Sequence, residues 1–263
     1  MDAPVTLEDT VTLDMNQFQE DLKELGILLE ETQMRQFIAY YRILKEWNSF
    51  MNLTAITEFQ EVCKKHFVDS LSIVKIYDFM KSINEDGCRM MDVGTGAGFP
   101  GIPIKIVFPY VKVTLLDSLK KRVHFLDEVI NRLGLEGMDA IHGRAEDYAR
   151  TDRHREKYDL CVSRAVAHLS TLSEYCIPFV KVGGKFISYK SEKLAVEQSE
   201  SGKAIAVLGG KITGQEEFTL PASDIYRNLL VIEKTKPTPK KYPRKAGIPA
   251  KEPIQCASRI MGD

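Results

Sequence analysis

Between residues 92 and 101 the chain reads Asp-Val-Gly-Thr-Gly-Ala-Gly-Phe-Pro-Gly, directly after the apolar strand candidate Met90 to Val93. Gly94, Gly96 and Gly98 lack a β-carbon, so the backbone can turn sharply and approach a ligand closely. The helix that follows points free N–H groups at a carboxylate or phosphate. The next strand candidate closes on Asp117, where a carboxylate can accept both hydroxyls of a ribose. Together these residues suit a cofactor built on adenosine. Two chemistries share the plan, because Gly96-x-Gly98-x-x-Gly101 also satisfies the dinucleotide fingerprint. One is hydride transfer from a nicotinamide and the other is methyl transfer from S-adenosylmethionine (SAM). A turn that holds no ligand is a third reading of the same residues.

Three other clusters bear on the choice. Gly143-Arg144-Ala145-Glu146-Asp147 follows the third strand candidate, where a backbone N–H of Ala145 or Glu146, or an acidic side chain, can read a purine edge. A helix N-terminus with acidic first-turn residues explains the same run. Val162-Ser163-Arg164-Ala165-Val166-Ala167 ends the fourth strand candidate and lacks the Asn/Asp-Pro-Pro-aromatic run of exocyclic amine methylation. Cys161 lies inside that apolar strand and reads as a buried, inert thiol, which argues against cytosine C5 chemistry. Arg164 remains, a permanently charged planar donor for a carbonyl oxygen, a phosphate or a cofactor carboxylate. Phe99 packs toward the ligand or into the core; spacing does not separate the two. His66 and Asp69 share a helix face, but there is no G-x-S-x-G elbow, H-E-x-x-H pair or P-loop lysine to join. A buried hydrogen-bonded pair is the expectation for them.

The elements that must position these residues are legible from periodicity. Phe18, Leu22, Leu25 and Leu29 make one helical stripe, and Met34, Phe37, Ile38, Tyr41 and Leu44 a second, with Glu31 and Thr32 as break and cap. Thr57 and Gln60 at capping-box spacing open a third helix through Phe67, Leu71 and Val74. From Met90 onward strands and helices alternate: strands 90–93, 111–117, 138–142, 158–163 and 184–189, and helices 99–108, 119–133, 168–180 and 191–207. Alternation of this kind implies a parallel sheet covered on both faces. Lys211 to Leu220 and Ile225 to Lys234 then read as a hairpin that places an antiparallel strand at the end of the sheet. The expected fold is an α/β, Rossmann-like class I SAM-dependent methyltransferase sheet, mostly parallel with one antiparallel strand and helices on both faces. Expected domains are an N-terminal helical cap over 1–85, the methyltransferase domain over 86–235 and a basic C-terminal tail over 236–263. A nicotinamide domain is expected to continue with more parallel units and a substrate domain.

Net charge is −1, yet residues 1 to 33 carry nine acidic side chains and one basic, and residues 234 to 263 carry eight basic and two acidic. Such a tail, with Tyr242 and five prolines interleaved, either follows an RNA backbone or is simply solvated. Cys63, Cys88, Cys161, Cys176 and Cys256 form no C-x-x-C pair, so reduced thiols are expected and no metal. Asp2, Glu8 and Asp9 stand where a signal peptide needs basic residues, and no apolar run is long enough to span a bilayer. A cytoplasmic protein with no membrane partner is expected, and without a heptad repeat, a monomer.

Taken in order, WNSFMNLTAI (47–56), KHFVDSL (65–71), DVGTGAGFPGIP (92–103), LLDSLKKRVHFL (115–126), GRAED (143–147), VSRAVA (162–167) and KKYPRKAGIP (240–249) resemble the family of ribosomal RNA small subunit methyltransferase G, also called glucose-inhibited division protein B. The resemblance implies SAM as cofactor, 16S rRNA or the small ribosomal subunit as partner, and methylation at N7 of guanosine 527. It puts Gly94, Phe99, Ala145, Glu146 and Arg164 on the family's cofactor-binding positions, with Asp117 at the ribose. Leucine is also common in the family where Phe99 stands. Guanine N7 has an in-plane lone pair and no proton, so the lack of a convincing base, nucleophile or metal agrees with that reaction. RNA contacts are expected from Lys120, Lys121 and Arg122 beside the pocket, from Lys190, and from Lys240, Lys241, Arg244 and Lys245.

Overall fold

The computed structural model describes residues 13–82, 87–164, 167–192 and 194–254. Seven strands, β1 (Arg89–Val93), β2 (Lys112–Asp117), β3 (Met138–His142), β4 (Tyr158–Ser163), β5 (Val180–Lys190), β6 (Gly210–Thr219) and β7 (Tyr226–Lys234), form one sheet in the order β3-β2-β1-β4-β5-β7-β6. The pairs among β1 to β5 are parallel, and β7 runs antiparallel to both β5 and β6. The expected terminal hairpin forms, but its second strand sits between β5 and β6. Burial explains the insertion. Asn228 to Ile232 of β7 are buried without interruption, as a strand covered on both faces requires. Residues of β6 after Gly210 alternate exposed and half-buried along Lys-Ile-Thr-Gly-Gln-Glu-Glu-Phe-Thr, which suits a charged edge.

Successive residues of β1 feed opposite faces of the sheet. Met90 joins a core with α5 (Gly101–Val107), α6 (Lys120–Leu133) and the N-terminal helices, whereas Met91 joins one with α8 (Leu169–Cys176) and α9 (Ala195–Val207). A cluster of Phe18, Phe37, Tyr40, Phe67 and Phe99, with neighbouring ring centroids 5.0 to 6.1 Å apart, welds the N-terminal helices to the first core.

Two N-terminal boundaries differ from the periodic reading. α1 (Asn16–Glu24) stops before Leu25 because Gly26 takes φ +76°, so Leu29 lies outside the helix. α2 (Glu31–Met51) is opened by Glu30, whose N–H donates to the Gln33 side chain at 2.9 Å, in place of a Glu31/Thr32 cap. The third helical run begins at Phe59 and passes through α3 (Phe59–Val62), a π-helical turn (Cys63–Val68), α4 (Asp69–Leu71) and a 3-10 turn (Ser72–Lys75). Thr57 is no cap for it. The widened turn carries His66, and Asp69 follows at once.

The segment after β7 returns along the body. Arg155 donates to the carbonyls of Thr238 and Tyr242, Arg150 to that of Pro243, and Thr171 to that of Pro249, in the short α10 (Ile248–Lys251). This strap over 235–252 is pinned, and Cys256 and Arg259 lie outside the described residues. Among the described residues no helix is long and apolar enough to cross a membrane.

Candidate active site

The parallel strands β1, β2, β3, β4 and β5 end at Val93, Asp117, His142, Ser163 and Lys190, so the loops that follow gather along one edge of the sheet. Ligands of open α/β sheets bind at that edge. The first loop is tied to its neighbour strand: the N–H groups of Gly94 and Thr95 both donate to the Leu116 carbonyl, at 2.9 and 3.3 Å. Gly96 has φ +63°, and a β-carbon there would meet nothing within 4 Å, so its surface is open. Gly98 differs. A β-carbon on it would stand 2.3 Å from Ile102 Cδ1 and 2.8 Å from the Tyr40 hydroxyl, so this glycine serves close packing against α5 and α2.

Two carboxylates lie beneath the loop. Asp117 accepts from Gly96 N–H at 3.0 Å and Leu119 N–H at 2.9 Å, with Arg122 Nη1 at 3.5 Å. Asp92 is fully buried; its Oδ2 takes the Thr95 hydroxyl at 2.7 Å and Gly101 N–H at 2.9 Å, and its Oδ1 has no partner. Burial first, against those two donors, pushes its carboxyl up to about 6. An orphaned acceptor beside an open glycine turn and a ribose-type carboxylate fits the ammonium, backbone and ribose of SAM. These residues would hold that cofactor.

α7 (Ala145–Tyr148) follows β3, and Glu146 is buried with its Oε1 accepting Gly247 N–H from the strap at 2.8 Å. Its carboxylate is thus engaged within the chain, and the backbone of Ala145 and Glu146 is what remains for a purine.

Arg164 joins the two sides of the site. Its Nη1 donates to Asp69 Oδ2 at 2.9 Å and to the Lys65 carbonyl at 3.3 Å, and its Nη2 lies 3.4 Å from His66 Nδ1. The guanidinium lies 5.2 Å from the centre of the Phe99 ring, and the same ring stacks on His66 at 4.5 Å with a 15° tilt. Phe99 is therefore both a core aromatic and the rest for Arg164. His66 Nε2 meets the Thr54 hydroxyl at 2.9 Å. Burial, then the charge of Arg164, lowers the imidazole to about 4, so it is neutral at pH 7. Of the expected His66/Asp69 pair, Asp69 is buried and His66 half-buried, and the two are joined through Arg164 and not to each other. Reading along the chain missed Arg227, whose Nε donates to Asp69 Oδ1 at 2.7 Å.

His66, Asp69, Arg164 and Arg227 line a cavity of about 750 Å³ bounded also by Lys190 and Glu197. Lys190 Nζ is bound to Glu197 at 2.7 Å and to the Ala167 carbonyl at 2.8 Å. Lys120, Lys121, Lys240, Lys241 and Lys245 are exposed. Arg244, expected to meet RNA, grips buried Glu174, with Nε and Nη2 at 3.0 and 2.7 Å, and its side chain stays 27% exposed. Cys161 is buried inside β4, and burial raises its thiol well above the ordinary range, as an inert cysteine should be.

Comparison with known proteins agrees with this architecture. Ribosomal RNA small subunit methyltransferase G of Alkaliphilus metalliredigens is 55% identical over 237 residues, spanning 90% of this chain and 97% of that protein. The protein of the same name from Lachnoclostridium phytofermentans is 52% identical over 241 residues, spanning 92% and 98%. A chain of the Haloferax volcanii complex between the Trm112 methyltransferase activator and a methyltransferase shares the fold, with TM-score 0.50 and 12% identity over 73% of this chain and 98% of that one. A model of the GidB family, described as rRNA small subunit methyltransferase G, matches residues 33–224, and the chain belongs to that family.

Proposed function

We propose that this chain uses SAM to methylate N7 of guanosine 527 in 16S rRNA, with no side chain acting as a general base. The observation that carries the reading is the position of Arg164. It lies near enough to Asp92, under the glycine turn, to favour that carboxylate's charged form, and it is hydrogen-bonded to Asp69 on the wall of the cavity. That position would let one guanidinium serve both a cofactor on the glycine turn and a nucleotide in the cavity.

When bound, SAM supplies a methyl group on a positively charged sulfur, an electrophile that a nitrogen lone pair can accept directly. Guanine N7 carries that lone pair and no proton, so the chain has no proton to remove. His66, held down to about 4, is too weak a base to be asked for more. The work of the chain is placement. Asp117 would hold the ribose, the backbone at Gly94 and Gly96 the methionine portion, Asp92 Oδ1 the ammonium, and the Ala145 and Glu146 backbone the adenine. Arg164 would hold the guanine O6 or the cofactor carboxylate, and Phe99 keeps it there. Lys120, Lys121, Lys240, Lys241 and Lys245 would meet RNA phosphates, and Arg122, tied to Asp117, would do so at the pocket's rim.

The test is methyl transfer from radiolabelled SAM to unmethylated small subunits and to naked 16S rRNA, with the label mapped by chemical cleavage at 7-methylguanosine. Cleavage at position 527 is expected. Label at another base or atom, or binding of NADH in preference to SAM, would overturn the reading.

A further inference from the structure

Most of the cations around the cavity are already answered. Lys190 is paired with Glu197 and Lys65 with Glu61. Asp69 stands differently, because its two oxygens serve two arginines: Oδ2 accepts from Arg164 and Oδ1 from Arg227. One buried carboxylate between two guanidiniums, which do not lose their protons, leaves one positive charge over. That surplus is local: both arginines lie on the cavity wall, whose lining also carries Glu192, Glu197 and Glu200.

Arg227 arrives there because β7 is antiparallel. Its first residues lie where the parallel strands finish, and Asn228 pairs with Lys190 at the end of β5. Nε of Arg227 is committed to Asp69 and Nη1 to the Tyr226 carbonyl at 2.9 Å; among the described residues Nη2 has no partner. The side chain is 18% exposed, on the cavity wall. With Nε and one Nη1 hydrogen committed, the guanidinium keeps its Nη2 hydrogens for an acceptor in the cavity. It can donate to a single phosphate oxygen.

We propose that Arg227 holds a backbone phosphate of the RNA beside the target nucleotide, and that Asp69 is the positioning residue that sets Arg227 and Arg164 in fixed relation. The inference rests on the rRNA methyltransferase reading above. Neutralising one phosphate contact removes one counterion-release event from binding, whatever the RNA sequence.

The experiment is a KCl series of binding to unmethylated small ribosomal subunits by wild type and Arg227→Gln, with SAM affinity and methylation kinetics measured alongside. The slope of log K against log salt is expected to shrink by about 0.7 to 0.9. KM for the subunit should rise about tenfold, with most of the loss in KM and SAM affinity retained. Asp69→Asn should lower kcat as well, through Arg164, and Arg227→Gln should cost less in that background than alone. If Arg227→Gln does not fold, Arg227→Met carries the test with the same loss of slope, and Arg227→Lys, which keeps a charge for one phosphate oxygen, should restore most of it. An unchanged slope in the neutral variant, or a slope in Arg227→Lys as low as in that variant, overturns the inference while methylation by wild type upholds the reading beneath it. A wild-type protein that methylates no rRNA overturns that reading itself.

Discussion

Arg164 is fixed from three directions, by Asp69, by the Lys65 carbonyl and by the face of Phe99, so its own entropy is spent before any ligand arrives. Truncating it should remove placement without touching the fold's main cores. Arg164→Ala is expected to slow methyl transfer by at least tenfold, about 1.4 kcal/mol in the barrier, in a steady-state assay. A rate near that of wild type would rule out its role. His66 makes a second prediction. Its folded pKa of about 4 lies below the ordinary 6.5, so between those values the unfolded chain binds more protons and stability rises with pH. The contribution of neutral His66 is lost as pH falls through that window. Asp92, pushed up to about 6, has the opposite sign and weakens the fold as pH rises from about 4 to 6. In urea unfolding, the stability gained by wild type between pH 4.5 and 7 should be smaller in His66→Gln; equal gains would refute the assignment. Asp117 and Arg164 were legible because each ends a strand that periodicity exposes. Arg227 was not, since nothing in one strand's sequence states which neighbour it pairs with or in which direction.

Among the elements, the strap and β7 show what local pattern can and cannot reveal. Lysines and prolines made residues 236–263 read as a tail, yet the bonds that pin the strap run from Arg150, Arg155, Glu146 and Glu174 to it. Those partners lie 70 to 101 residues away along the chain, and no periodicity links them. Arg244→Ala would leave Glu174, 1% exposed, as a buried carboxylate without its guanidinium. A loss on the order of 3 kcal/mol is expected by chemical denaturation. Lys240→Gln, at an exposed position, should cost within about 0.5 kcal/mol. Equal losses would mean that the strap is not held by the Glu174 pair. The order of β6 and β7 was readable in principle. Leu-Leu-Val-Ile in one and Gln-Glu-Glu in the other already tell the interior strand from the edge.

At the scale of the molecule, helices before the sheet and a strap after it meet the same edge, one through Asp69 and the other through Glu146. The strap carries exposed Lys240, Lys241 and Lys245 on the outside while its inner side is tied to the loop after β3. The near-zero net charge therefore conceals a cationic band beside the proposed pocket. The strand order also governs when the protein can be finished. β7 is the last strand in chain order but an inner strand in space, so β5 and β6 cannot be bridged until residues 226–234 have been made. A chain arrested after Asp224 should leave both edges unpaired, and limited proteolysis should cut β6 while sparing β1 to β4. Protection of β6 in that chain would contradict the order. For a protein proposed to modify ribosomal RNA, the sheet would then close only once its inner strand has left the ribosome that makes it.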